Sequence, residues 1–423
     1  MGLLLPVDDT ERKLNAQLKP HLHSIHTWIK KDDSVTTKNV DVVNTLLDDM
    51  CKQMKRKDPL FGQLFNRLVP TGSYYDGLRT KRADEFDINL VLLLPFLKGE
   101  FTTQNVFTMQ ILRTPAVEGG HGHSFWVCAP NDVNPTLQVP HELPGHVGYQ
   151  VSRVAVGRLL RQGNPAWVPQ LLKWIDGANM LHPSRVKSWL QSVIDRTLPT
   201  YVTPSGSCAD VTKIRLGGSG PARTFHVELI NGGKIDVNLV PVIEIRYPTW
   251  PDGIKKADWM TRMSTVDHNW LLVPKSPTPN SDQWRIHFLY LEKRLIASYG
   301  CVKPLIRVLK TLRDSYNWNL SSYSLKTFVM SQLVANYDEQ CWLPKNQGIL
   351  FIKVLERLGL ALKQPGPGIP FLFHPEVDLT EKVKRVTRDN IGNRIERIVR
   401  KLRMSPDECI KLILNNEPIT EVL

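Results

Sequence analysis

No long apolar run is present in this sequence. The most apolar stretch of its 423 residues, Ile88 to Leu97, has ten residues, about half of the roughly 20 that a membrane-crossing helix needs. No CxxC pair occurs either: Cys51, Cys128, Cys208, Cys301, Cys341 and Cys409 are scattered, which argues against a disulfide framework and a cysteine zinc site and leaves the thiols reduced. Nothing basic precedes the apolar residues of MGLLLPVDD, and Pro6 stands where a myristoylation signal has Ser or Thr. A soluble, cytoplasmic chain with no membrane attachment is expected. Internal repeats and low-complexity tracts are also missing. Acidic charge is scarce beside basic charge: 41 Asp and Glu against 54 Lys and Arg, a net charge of +13 and a pI near 9.4. Such a surface favours a polyanionic partner, because neutralising phosphates supplies affinity without sequence.

What is present divides the chain in two. Apolar steps of three and four residues predict helices over Asp8–Lys31 and from Thr36 or Thr37 to Lys57, the second closing on Lys52, Lys55, Arg56 and Lys57. A strand is predicted over Phe86–Leu94, helices near Val168–Leu181 and Pro183–Arg196, and a three-stranded meander through DVTKIRLGG, ARTFHVELING and GKIDVNLVPVIEIR. After Tyr247 the pattern turns helical: Gln283–Tyr299, Cys301–Tyr316, Ser322–Tyr337, Gly348–Leu362 and Thr380–Arg403. The expected fold class is α+β and bilobal, with a mixed α/β lobe over residues 1–250, a helical lobe over 251–423 and a cleft between them. The pairs His121/His123 and His141/His146 lie in Gly- and Pro-rich stretches and read as loop histidines.

Chemistry concentrates in TGSYYDGLRTKRADEFDINLVLLLPF. Glu85 and Asp87 are i and i+2 on a strand, so they point to one face at the mouth of an apolar run. Carboxylates there call for a cation, and Mg²⁺ or Mn²⁺ prefers such oxygens. Asp236 in GGKIDVNLVPV is the third acid, because Ile235, Val237 and Leu239 alternate with Asp236 and Asn238. If the two strands are neighbours, the three acids converge on two ions. Upstream, Gly72 lets the backbone approach a triphosphate and Ser73 can donate to it. A Gly-Ser turn followed at this spacing by acid, apolar, acid, apolar is the signature of polymerase β-like nucleotidyltransferases.

The stretch TGSYYDGLRTKRADEFDINL resembles the cyclic GMP-AMP synthase (cGAS) and cGAS-like receptor family, and four further islands follow in the family's order: GGKIDVNLVPVIE, WLLVPK, WRIHFLYLEKRLI and LSSYSLKT. The resemblance spans roughly residues 35 to 403. It implies Glu85, Asp87 and Asp236 as catalytic metal ligands for two Mg²⁺ or Mn²⁺ ions, with Asp236 also the base. It implies a nucleotide site of Thr71, Gly72, Ser73, Lys275, Arg285, Glu292, Ser322 and Tyr323. Without the resemblance, Tyr323 reads as a half-buried core tyrosine. Arg285 and Glu292, seven residues apart on a predicted helix, can share a face. The family's phosphate-binding lysine has no clean match: Ile306 falls near its position, among Lys303, Arg307 and Lys310.

One departure matters. LIASYGCVKPLIRV carries no His/Cys zinc insertion, so no structural zinc is expected, and double-stranded RNA rather than DNA is the activator the resemblance favours. Its expected surface comprises Lys52, Lys55, Arg56, Lys57, Arg79, Lys81, Arg82, Lys255 and Lys256, reading phosphate and shape rather than base identity. Duplex binding would order Gly72–Asp84. The basic stretch KVKRVTRDNIGNRIERIVRKLR reads chiefly as a packed helix with a solvated side. The implied activity is synthesis of a cyclic dinucleotide of the cGAMP type from ATP and GTP, for innate antiviral immunity through a STING-type receptor, with a nucleic-acid-induced oligomer. The alternatives are an RNA 3′-end nucleotidyltransferase and a catalytically silent nucleic-acid-binding scaffold of the same fold.

Overall fold

The computed structural model describes residues 8–30, 34–80, 84–95, 136–138, 145–218, 220–251, 254–278, 280–336 and 338–415. The chain opens with α1 (Asp9–Lys30), α2 (Ser34–Lys57) and α3 (Pro59–Leu64), and then enters β1 (Phe65–Thr71), a single turn α4 (Gly72–Tyr75) and β2 (Glu85–Leu92). The strands β3 (Thr136–Gln138) and β4 (His146–Gln150) precede α5 (Arg153–Gln162), α6 (Val168–Leu172) and α7 (Pro183–Thr197). The meander is β5 (Val211–Gly217), β6 (Arg223–Leu229) and β7 (Lys234–Ile245), followed by β8 (Trp270–Val273) and β9 (Gln283–His287). Helices α8 (Leu289–Ala297), α9 (Val302–Ser315), α10 (Ser322–Ala335) and α11 (Gln347–Lys363) come next, then the hairpin β10 (Pro370–Phe371) and β11 (His374–Asp378), α12 (Arg385–Met404) and α13 (Cys409–Ile413).

Nine strands form one mixed sheet in the order β1-β2-β7-β8-β9-β4-β3, and β6, itself paired with β5, lies against the first half of β7. Among the pairings of the described residues, β2 with β7 is parallel and the others are antiparallel. One face of β2, Phe86, Ile88, Leu90 and Leu92, joins Val43, Leu46, Leu47, Met50 and Met54 of α2 in the sheet core. Each such buried side chain contributes about 1.5–3 kcal/mol. The opposite face runs from an exposed Glu85 and a half-buried Asp87 to buried Asn89 and Val91. Val91 packs with Val242, Leu271 and Leu289 of α8. The polar end of β2 is therefore the part that α8 leaves uncovered.

The structure departs from the expected organisation in four places. The sheet continues past residue 251 into β8 and β9, while Leu14, Leu18, Leu22 and Ile25 of α1 belong to the helical core with α9–α13. The split at 250/251 therefore does not follow the packing, because four- and five-residue strands are too short to register in a helix-rich composition. Gln283–Tyr299 is not one helix: Trp284 and Ile286 are buried at strand period in β9, and α8 starts at Leu289. The helix expected over Val168–Leu181 stops at Leu172, since Asp176 Oδ1 accepts from the N–H groups of Ala178 and Met180 and closes a turn. The last long helix starts at Arg385 rather than Thr380, where Asp378 Oδ1 takes the Thr380 N–H and hydroxyl. The five described cysteines, Cys51, Cys208, Cys301, Cys341 and Cys409, are buried; Cys128, His121, His123 and His141 lie outside the described residues.

Candidate active site

The parallel register of β2 and β7 sets Glu85 opposite Asp236 and Asp87 opposite Asn238. On the far side of β7, β6 brings His226 to Asp236 and Thr224 to Asn238. Paired residues on neighbouring strands project to the same face, so two polar rows cross the sheet: Glu85, Asp236, His226 and Arg215 in one, and Thr71, Asp87, Asn238 and Thr224 in the other. The three predicted acids thus come together on one surface. A pocket of about 610 Å³ opens over the first row, lined by Glu85, Asp236, His226, Arg215, Glu228 and Lys234 among others.

The acids are held by amide and imidazole donors. The Asn238 side-chain amide donates to Glu85 Oε1 at 2.9 Å and to Asp87 Oδ1 at 3.0 Å, while its own oxygen accepts from the Thr224 hydroxyl at 2.7 Å. His226 Nδ1 donates to Asp236 Oδ1 at 2.7 Å. Hydrogen bonds to ionised groups contribute about 1.5–3 kcal/mol, which limits the repulsion of the acid pair without neutralising it.

The turn before the acids is fitted to them. Thr71 ends β1 and donates its hydroxyl to the Asp87 carbonyl at 3.1 Å. Gly72 follows at φ +78°, and a Cβ there would lie 2.4 Å from Asp87 Oδ2, so only glycine allows the backbone this close to the carboxylate. Ser73 faces the helical lobe, where Lys310 of α9 donates to its hydroxyl at 3.0 Å and to the Leu78 carbonyl at 2.7 Å. Burial, and then Arg313, lowers the Lys310 ammonium to about 8. Arg313 in turn donates to the Ser322 hydroxyl at 2.8 Å. Lys303, Arg307 and Lys310 sit at i, i+4 and i+7 on α9, a single helix face directed at the turn.

Next to this lies a sealed charge network. Lys326 of α10 contacts Asp76 Oδ2 at 3.0 Å and Glu292 Oε2 at 2.9 Å, all three being buried. The Tyr323 hydroxyl donates to Glu292 Oε1 at 2.6 Å, and His287 stands 3.6 Å from the same carboxylate. Burial raises the Glu292 carboxyl, but Lys326, His287 and Tyr323 outweigh it and hold the group below its ordinary value. Burial and the Glu292 charge push the Tyr323 phenol well up, so it remains a donor. Arg285 lies on β9 with its guanidinium 5.6 Å from the Phe371 ring centre. Glu292 is on α8, so the two share no helix face, contrary to the sequence expectation. Lys275, just beyond β8, has its ammonium lowered by desolvation and by Arg285 and Lys382.

The expected nucleic-acid surface is mixed. Lys52, Arg56 and Lys255 are exposed. Lys57 donates to Arg196 O and Thr200 Oγ1, Lys55 stacks over Phe65, Arg79 donates to Thr36 Oγ1 at 2.5 Å, and Lys256 lies over Tyr247 and Trp250. Lys81 and Arg82 lie outside the described residues.

Residues 74–298 match the description Mab-21 protein nucleotidyltransferase domain, and residues 301–397 match Mab-21 protein HhH/H2TH-like domain. The chain belongs to the Mab-21 family. It is a nucleotidyltransferase with a bilobal α+β fold, and the two Mab-21 regions meet between α8 and α9. Among curated relatives it is 24% identical to the cyclic GMP-AMP synthase-like receptor of Tribolium castaneum, over 91% of this chain and 88% of that protein. The receptor of that name from Aethina tumida is likewise 24% identical, over 92% and 88%. Cyclic GMP-AMP synthase-like receptor 1 of Drosophila melanogaster is 22% identical over 83% and 82%.

Sequence reading left out Lys310 as the partner of Ser73, along with Asn238, Thr224, His226, Asp76 and Lys326. Asn238 was within reach, since it alternates with Asp236. The others depend on pairings across strands or lobes that spacing does not encode.

Proposed function

We propose that this nucleotidyltransferase is an innate immune sensor that joins ATP and GTP into a cyclic dinucleotide of the cGAMP type when double-stranded RNA engages its basic surface. The carrying observation is the strand register that gathers Glu85, Asp87 and Asp236 on one face, beside a glycine turn packed on Asp87. The names of the relatives support the product class. The donor set, three carboxylates with Glu85 exposed and Asp87 and Asp236 half-buried, suits Mg²⁺ or Mn²⁺. Among the described residues no group of three or more His, Cys, Asp or Glu is arranged to hold an ion unaided; the shell of Mg²⁺ is usually completed by water and substrate phosphate. Two such ions, when bound, would activate the attacking hydroxyl and stabilise the leaving pyrophosphate.

The chain's own groups divide the remaining work. Ser73, Lys310 and Ser322 bind and orient the triphosphate, with Arg313 holding Ser322. Asp236 accepts the proton of the attacking ribose hydroxyl as its oxygen bonds to the α-phosphorus and the bond to pyrophosphate breaks. A second transfer in the opposite sense closes the ring and releases a second pyrophosphate. Tyr323 and Arg285, packed about the buried Phe371 ring, offer planar surfaces to a nucleobase near Glu292 and Lys275. Lys52, Arg56 and Lys255 take RNA phosphates, and a STING-type receptor reads the product.

Purified protein incubated with ATP, GTP and Mn²⁺ should give a phosphatase-resistant product only when a long RNA duplex is added. Linear products extended from an RNA primer would instead indicate a 3′-end nucleotidyltransferase. RNA binding with no turnover, unaffected by Glu85→Ala with Asp87→Ala, would indicate a scaffold.

A further inference from the structure

Each of the three acids has one oxygen engaged by a protein side-chain donor: Glu85 Oε1 and Asp87 Oδ1 by Asn238, and Asp236 Oδ1 by His226. The donors come from β7 and β6, on the side away from the glycine turn. We propose that Asn238, Thr224 and His226 form a hydrogen-bond clamp that positions the acids, turning the remaining oxygen of each toward the metal ions. This rests on the reading of Glu85, Asp87 and Asp236 as metal ligands and names the residues that preset their geometry.

The chemistry fixes the direction of the clamp. Both protons of the Asn238 amide are used, one on each carboxylate, and an amide turned over would set its oxygen against two anions. The Thr224 hydroxyl donating to Asn238 Oδ1 at 2.7 Å holds the amide in the productive sense. Thr224 therefore acts through Asn238 without touching an acid. His226 is seated in a comparable way. A Cβ on Gly217 of β5 would lie 2.4 Å from His226 Nε2 and 3.1 Å from its Cδ2, so the ring rests on a surface that only glycine leaves open. An alanine there would push the ring and its Nδ1 away from Asp236. Outer hydrogen-bond partners of metal ligands commonly alter metal affinity by about 10–100-fold, and clamp residues are expected at the lower end of that range.

The test is Mn²⁺ binding to the 423-residue chain without nucleotide, followed by the electron paramagnetic resonance of free Mn²⁺, with melting temperature recorded in parallel. Asn238→Ala should weaken Mn²⁺ about tenfold. Thr224→Val should weaken it less, with Thr224→Ser restoring wild-type affinity. His226→Leu and Gly217→Ala should weaken it together. A purely structural role would lower the melting temperature while leaving the affinity of the folded protein alone. Affinities within twofold of wild type across these variants, or tighter binding, would overturn the clamp. If Asn238→Ala does not fold, Thr224→Val carries the test, because it exchanges one hydroxyl for a methyl. The control is Glu85→Ala with Asp87→Ala. Wild-type protein that binds no more Mn²⁺ than this control would overturn the metal-ligand reading itself, and the clamp with it.

Discussion

Two groups of carboxylates, one built on Glu85 and Asp87 of β2 and the other on Asp76 of the segment that joins β1 to β2, are treated in opposite ways. Glu85, Asp87 and Asp236 stand at an uncovered sheet end with amide and imidazole donors for neighbours. Asp76 and Glu292 are sealed between the lobes, with Lys326 inserted between them. The first group keeps its charge available to a cation from solution. The second is compensated inside the protein and ties the glycine turn to α8 and α10. The comparison teaches that compensation, rather than the presence of acids, separates a reactive site from a structural joint.

The comparison can be broken most sharply at the open acids. Glu85→Ala with Asp87→Ala should reduce nucleotidyl transfer by about 10³-fold or more, as expected when several kcal/mol of charge stabilisation are removed. Thermal unfolding should stay close to wild type, because both acids sit at an exposed strand end. A large fall in melting temperature with little change in activity would reverse the assignment.

Lys326→Met tests the sealed group. Removing one partner of a buried ion network leaves uncompensated charge and should cost about 3–5 kcal/mol in urea unfolding. A cost no larger than that of an ordinary surface substitution would mean the network does not tie the lobes.

Lys310 sharpens the comparison through pH. Its ammonium lies near 8 in the folded protein, so its charge disappears as pH rises through that value. KM for nucleoside triphosphate should rise severalfold between about pH 7 and 9, and Lys310→Arg should flatten the rise. The sign for stability is opposite. Unfolded lysine binds its proton up to about 10.4, so between roughly pH 8 and 10.4 the unfolded chain holds the extra proton, and stability falls as pH drops through this window.

The smallest effects fall on the basic surface. Lys52→Ala and Arg56→Ala should each make the salt dependence of RNA affinity shallower, by about 0.7–0.9 in log–log slope for every phosphate left without its cation. Lys57→Ala should barely alter that slope, because its ammonium is committed to Arg196 O and Thr200. Equal effects at all three positions would show that the intramolecular hydrogen bonds of Lys57 do not decide its role.

Much of this was legible in the sequence where side chains follow a local period. The steps of Val43, Leu46, Leu47, Met50 and Met54 gave α2, and the alternation through Asp236 gave β7 and its polar face. Strand β9 was missed because WRIH is short and runs directly into α8, so two periods overlap within one short stretch. The clamp and the interlobe network were hidden for another reason. Asn238 to Asp87 and Lys326 to Asp76 span 151 and 250 residues, and pairing at that separation is set by sheet register and lobe docking. Lys310 illustrates the limit: it was one of several basic residues in the right helix, and only the docking of α9 on the turn singles it out.

Anomalous diffraction from crystals grown with Mn²⁺ and a non-hydrolysable ATP analogue tests the central claim most directly. The account predicts two Mn²⁺ peaks about 3.5–4 Å apart, held by Glu85, Asp87 and Asp236, with the triphosphate against Ser73 and Lys310. Peaks elsewhere, or a nucleotide bound with Asp236 outside the coordination shell, would contradict it.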